Sequence, residues 1–356
     1  MLALTYTFLT ENVFMKIQLN EIAAACGVST MTVSRALDPA RAYLVSEKRR
    51  KEILDCCEKY GYVPNYSAST LASGKSLTIG LLHPESRLIG RSPTYGKMLS
   101  YLANALRKYN YFVTLLQIGG RDQETIDREI VRTFRSGRVD GYISLAAYIG
   151  DQALKEMAQR NFPVVTFNMP SDKVQEQNDT RRVHINSAPG IEALFSHLHA
   201  LGHTKIAYVG KGNLLQRDEL YCRFLGEEAD FLRLNDERQL TMSKYLAGYR
   251  LVMTEWDKIK KYSALTCSND EYAMGICEAL KDRNLVPGRD IAVAGFDNSE
   301  EGRDEAFLTT IHPPIEEAAD ECARILLSQI DPKGQKEITP VNLNTRLVIR
   351  SSTVPQ

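Results

Sequence analysis

The chain has 356 residues, more than one ordinary core holds and suited to two or three compact units. Its apolar fraction of 44% and charged fraction of 25% are those of an ordinary globular protein, and no apolar run is long enough to span a membrane. Formal net charge is zero, which excludes bulk basic charge as a route to nucleic acid and leaves only local contacts.

The residues before Met15 lack a basic start and a small-residue cleavage site, so they make a poor signal peptide. They are expected to be disordered or to lie upstream of the true start. Seven cysteines, an odd number without a C-x-x-C pair, argue against a disulfide framework and for reduced thiols.

Residues 16–63 carry only short helical patterns. Leu19, Ile22, Ala23 and Cys26 fall at i, i+3, i+4, i+7, one face of a helix that Gly27 ends. Ser29 is a good cap for a second helix, with Val33 and Leu37 inward. Two short helices joined by a glycine turn predict a helix-turn-helix. Its second helix would expose Thr30, Met31, Thr32, Ser34 and Arg35, groups suited to phosphates and to base edges in the major groove. A third helix is predicted from the cap Ser46 to Tyr60, with Ile53, Leu54 and Cys57 inward and Gly61 as its stop. Lys48, Arg49, Arg50 and Lys51 crowd its first turns. Such a run is most often a solvated face, but beside a helix-turn-helix it also suits phosphate.

Residues 64–76 begin with proline and are small and polar, which reads as a linker or hinge. From Leu77 onward apolar strands alternate with amphipathic helices. The predicted strands are 77–82, 111–116, 140–145, 163–168, 182–186, 205–210, 263–269 and 291–296, and most are solidly apolar, as in a parallel sheet covered on both faces. Helical stretches at 95–109, 122–136, 151–160, 189–201, 217–232 and 270–283 lie between them. This rhythm predicts a doubly wound α/β architecture with too many units for one sheet, hence two lobes over residues 77–356 with a cleft between them. A ligand in such a fold binds at the carboxyl ends of the strands, where Asn168, Tyr95, Arg217 and Asp297 are placed.

No nucleophile elbow, P-loop or H-E-x-x-H motif occurs, so an enzyme is disfavoured. His197, His199 and His203 do not share a helix face, and no metal or cofactor is expected. The α/β part alone would also suit a stand-alone solute-binding protein of a transport system. The helix-turn-helix and the missing export signal argue against that alternative.

The run from Leu19 to Leu37 resembles the DNA-binding headpiece of LacI-type (lactose-repressor) bacterial transcriptional regulators. The resemblance rests on Ile22-Ala23, Gly27-Val28-Ser29, Thr32-Val33-Ser34-Arg35, Val45-Ser46, Gly61-Tyr62-Val63-Pro64-Asn65, Ala68 and Leu71-Ala72. Residues beyond 77 resemble the family's two-lobed, periplasmic-binding-protein-like core through Val139-Asp140-Gly141, Gly202-His203, Asn269-Asp270, Gly295-Phe296-Asp297 and the closing Arg350-Ser351-Ser352-Thr353. The resemblance implies a cytoplasmic, nucleoid-associated homodimeric repressor that binds near-palindromic operator DNA under control of a small polar effector, in most such proteins a sugar. It implies that Asn65, Ala68 and Leu71 belong to a hinge helix that forms on DNA, with Leu71 wedging into the minor groove. It places the effector on Arg223, a rigid fork of donors, and Asp270, an acceptor for hydroxyls. Two departures stand out. Ser69 replaces the usual Arg or Gln, and 83–95 lacks the usual Pro-Asp and aromatic pair. No leucine heptad follows Thr353, so a dimer is expected rather than a tetramer.

Overall fold

A computed structural model describes residues 17–38, 41–64, 70, 74–83, 93–118, 122–145, 149–168, 181–210, 215–225, 231–232, 242–331 and 338–354. The chain divides into two compact units, residues 1–75 and 76–356. In the first, helices α1 (Leu19–Ala25), α2 (Thr30–Leu37) and α3 (Glu47–Tyr60) surround a small core of Ile22, Ala23, Val33, Ala36, Ile53 and Cys57. Gly27 takes a φ of +61° and turns α1 into α2, a conformation that costs glycine least. Ser46 caps α3 by accepting from the Arg49 amide, and Gly61 ends it in the left-handed region. Leu54, expected inward, is 40% exposed. One residue beyond the buried Ile53, it is turned about 100° away from the core-facing stripe.

The second unit contains two six-stranded sheets. Sheet one has the order β11-β5-β4-β3-β1-β2, formed by Val341–Asn344, Arg182–Asn186, Val164–Phe167, Gly141–Leu145, Thr78–His83 and Phe112–Gln117. Sheet two has the order β12-β10-β9-β8-β6-β7, formed by Arg346–Val348, Thr309–His312, Ala292–Phe296, Ala264–Cys267, Ile206–Val209 and Phe231–Leu232. All pairings are parallel except β10 with β12. The chain passes between the sheets after β5, after β10 and after β11.

Both faces of each sheet are covered, which is why the strands are solidly apolar. Over sheet one, α4 (Pro93–Arg107) and α12 (Ile315–Ile330) pack on Ile79, Leu81, Ile143 and Val165. On its other face α5 (Gln123–Arg135) and α6 (Asp151–Gln159) cover Leu82, Tyr142 and Val164. Sheet two is covered by α7 (Ala188–Ala200) and α8 (Leu215–Leu225) on one face, and by α9 (Lys244–Thr254), α10 (Trp256–Ile259) and α11 (Asp270–Asp282) on the other.

Two expectations need correction. The helix read as 217–232 ends at Leu225, and Phe231–Leu232 is an edge strand. Strand β2, read as doubly buried, is an edge with Phe112 and Leu115 exposed.

Helices α9 and α11 approach to backbone contact. A Cβ on Gly248 would strike the Tyr272 carbonyl oxygen, and one on Gly275 would strike the Tyr245 carbonyl oxygen. Overpacking of this kind typically costs about 1–3 kcal/mol. Gly275→Ala should therefore lower the thermal midpoint of the large unit, measured by circular dichroism, whereas Gly96→Ala, where a Cβ meets open space, should not.

Candidate nucleic-acid interface and ligand cleft

In the helical unit the cap of α2 is built from Ser29. Its hydroxyl accepts from the Thr32 amide at 3.2 Å and lies 2.9 Å from the Thr32 hydroxyl. Val33 and Ala36 are buried beneath α2, so the opposite face is free: Thr30, Met31, Ser34 and Arg35 are exposed, and Thr32 is half-buried. The four cations in the first turns of α3 divide by role. Arg50 donates from Nε to the Ala36 carbonyl at 3.2 Å and ties α3 to the end of α2. Arg49 pairs with Glu52 at 2.9 Å, and Lys48 and Lys51 are exposed. A short 3-10 turn at Ala42–Leu44, which carries no periodicity to reveal it, presents Tyr43 and Leu44 to solvent. Asn65, Ala68 and Leu71 lie outside the described residues.

In the large unit the carboxyl ends of sheet two gather Asp270, Asp297 and Arg217. Asn269 caps α11 through the Tyr272 amide, so Asp270 is the first residue of the helix. Its carboxylate is buried and already partnered: Thr310 Oγ1 donates to Oδ1 at 2.5 Å and the Ser299 amide to Oδ2 at 2.6 Å. Burial, and then the neighbouring Asp297, push its carboxyl up to about 7. A Cβ on Gly295 would collide with Asp270 Oδ1, so that carboxylate can lie against the strand only at a glycine. Asp297 takes a φ of 112° and is half-buried; burial raises its carboxyl, with Arg217 opposing the rise. The Arg217 guanidinium lies 3.6 Å from the centre of the Phe296 ring and donates to the Ser268 carbonyl at 3.1 Å.

Arg223 is exposed at the end of α8. The buried Tyr221 stands one turn beyond Arg217 on the same helix face, whereas Arg223 lies two residues on and nearly opposite. That i, i+4 relation is the sequence signal that singles out Arg217. Asn168 and Tyr95 sit in the other lobe. Asn168, at a φ of 48°, accepts from the Ile185 amide at 2.8 Å and pins β4 to β5. Tyr95 stands edge-on to His83, ring centres 6.5 Å apart, and burial holds its phenol well above the ordinary range. A cavity of about 720 Å³ in this unit is lined by residues of both lobes, among them Lys97, Asp297, Glu301, His312 and Arg346. Sequence reasoning did not find Lys97, Glu301 or His312, which come together across some 200 residues of chain.

No His/Cys/Asp/Glu group that could hold a metal occurs among the described residues, and no described helix is long and apolar enough to cross a membrane. All seven cysteines are free.

A three-helix unit joined to a two-sheet α/β core defines a DNA-binding regulator with a periplasmic-binding-protein-like domain. Residues 18–65 match the family described as bacterial regulatory proteins, lacI family, and residues 195–353 match the periplasmic binding protein-like domain. HTH-type transcriptional regulator RegA of Clostridium saccharobutylicum is 26% identical over 349 residues, 96% of this chain and 100% of that protein. HTH-type transcriptional repressor PurR of Vibrio vulnificus is 28% identical over 346 residues, 94% of this chain and 98% of that one. Among solved structures, a Lac repressor dimer bound to operator and the anti-inducer ONPF superposes with a TM-score of 0.74 at 21% identity, covering 95% of this chain and 99% of that chain. Residues 18–65 thus match the lacI-type DNA-binding domain and residues 195–353 the periplasmic binding protein-like domain, and the relatives named are transcriptional regulators.

The raised Asp270 carboxyl has a signed consequence. A carboxyl that rises from 3.8 to about 7 on folding gives stability that is present at low pH and lost as pH rises towards 7. Asp270→Asn, close in shape to the neutral acid, should therefore gain thermal stability relative to the parent as pH rises from about 4 to about 7 and level off above that. Parallel thermal midpoints across that range would show that Asp270 titrates normally.

Proposed function

We propose that this regulator is a cytoplasmic homodimeric repressor that binds a near-palindromic operator and is controlled by a small polar effector, a sugar or sugar derivative, in the cleft of its large unit. The observation that carries the DNA reading is the free face of α2. Thr30, Met31 and Arg35 face base edges in this reading, while Thr32 and Ser34 seat the helix on phosphates. Asn65, Ala68 and Leu71 supply the minor-groove contacts, with Leu71 as the wedge. A stand-alone solute-binding protein has no use for such a helix.

Dimerisation is supported by exposed apolar residues in two places on the large unit. These are Phe112 and Leu115 on edge strand β2, and Tyr245, Leu246 and Met253 on α9. The similar Lac repressor structure is a dimer on its operator. A regulator called CelR, solved as a cellobiose complex, and an Enterococcus faecium regulator with bound ribose share the fold, which supports a sugar here. Arg223, Asp270, Asn168, Tyr95 and Asp297, with Arg217, surround the effector in this reading. Asp270 acts mainly by holding the loop that carries Asp297, because its own oxygens are already engaged.

Selection from a random-sequence duplex pool tests the first part: a near-palindromic site should be enriched, and failure to enrich any sequence would refute it. On that site Arg35→Ala should lose about 1–3 kcal/mol and relax preference at one base per half-site. For the cleft, a thermal-shift screen of sugars should yield a stabilising compound whose effect is lost in both Arg223→Ala and Arg217→Ala. Unaltered affinity in either variant removes that arginine from the site.

A further inference from the structure

The loop after β9 is joined to the other lobe by side chains of α4. Lys97, on α4 against sheet one, donates from Nζ to the Asn298 carbonyl at 3.2 Å and pairs with Glu301 Oε2 at 3.4 Å. Asn298 and Glu301 stand on the loop that leaves β9 of sheet two, so both contacts bridge the lobes. The loop is strained as well as bridged, since Asp297 and Asn298 have φ of 112° and 50°.

The hydrogen-bond donors around Asn298 fix the state of a neighbouring histidine. Arg350 can only donate, and it does so to Asn298 Oδ1 at 2.8 Å. The Asn298 amide nitrogen therefore faces His312 Nδ1, 3.0 Å away, and must donate to it. His312 is thus neutral with its proton on Nε2. We propose that Lys97 and the Asn298–Glu301 loop form a latch between the lobes, and that protonation of His312 releases it.

A proton on Nδ1 would set donor against donor at Asn298. The amide cannot turn without depriving Arg350 of its acceptor, so the loop itself must move. The new cation would also draw on Glu301, whose Oε1 is 3.5 Å from Nδ1, the same carboxylate that Lys97 uses. The groups that face His312 are Glu301 from the loop, Arg346 and Arg350 from β12 and its continuation, and Lys97 from α4. Glu316 and Glu317, at the start of α12, line the same cavity. Burial first, then the three cations, depress the imidazole from 6.5 against the pull of Glu301. The latched state therefore binds fewer protons than the open one. Its population is full above about 6.5 and falls as pH drops below that value.

The loop carries its own reporters. The amides of Asp297, Asn298 and Ser299 donate to the Ile311 carbonyl, Thr310 Oγ1 and Asp270, and Glu301 N donates to the Asn298 carbonyl. Hydrogen exchange of the full chain, read by mass spectrometry between about pH 8 and about pH 5 and corrected for intrinsic rates, tests the latch. Protection of the 297–301 peptide should fall several-fold below about pH 6.5 in the parent. In His312→Gln, which keeps an acceptor for Asn298, that step should vanish, while any change near 7 that belongs to Asp270 survives. Lys97→Met should lose protection at every pH and Lys97→Arg should recover it, with β8 and β9 protected throughout as proof of folding. A parent loop insensitive to acid, an acid step retained in His312→Gln, or unchanged protection in Lys97→Met would each overturn the proposal.

Discussion

The ligand cleft depends on one buried carboxylate. Asp270 enters the floor of sheet two at the start of α11, where only a glycine at 295 leaves room for it. Its two oxygens draw in the Thr310 hydroxyl and the Ser299 amide, which bends the chain after β9 back over the strand ends. A buried charge is costly unless paired, and no cation among the described residues donates to Asp270, so its carboxyl is pushed up instead. Asp297, Asn298 and Glu301, which reach across the cleft from this lobe, stand on the loop that Asp270 holds. A perturbation felt at Asp270 therefore becomes a displacement of charged groups facing the other lobe.

Three cations bear on Asp297 in the cleft. Arg217 is stacked on Phe296 and anchored to the Ser268 carbonyl, so it is a fixed rather than a searching cation. It opposes the burial that raises Asp297, and Lys97 and Lys244 add to the same effect. The described lining of the cavity sets six carboxyl side chains against Lys97 and Arg346.

Much of this was legible in the sequence, for identifiable reasons. Eight strands announced themselves because sheets covered on both faces need unbroken apolar runs, and the caps Ser29 and Ser46 with the stops Gly27 and Gly61 marked the short helices. What escaped notice was set by tertiary partners. Strand β2 reads like its neighbours, but its place at the sheet edge leaves Phe112 and Leu115 bare. Strands β11 and β12 are edges, one alternating apolar and polar residues and the other only three residues long, so no long apolar run marks them. Asp270 was visible as a cleft residue, but its partners Ser299 and Thr310 lie 29 and 40 residues away, and only the fold shows that both its oxygens are occupied. Arg217 and Arg223 are equivalent by composition, and only the phase set by buried Tyr221 separates them.

The two units solve opposite problems. The small one must present chemistry outward from a core of only a few side chains, so its stability leans on caps and on ties such as Arg50 to the Ala36 carbonyl. Because Arg50 is used in this way and Arg49, though exposed, is paired with Glu52, fewer of the cations in the first turns of α3 are free for phosphate than the sequence suggests. The large unit must instead keep polar groups buried and movable. It does so by satisfying them through backbone and hydroxyl partners rather than rigid ion pairs, as at Asp270 and His312, where a single proton changes which partners remain compatible.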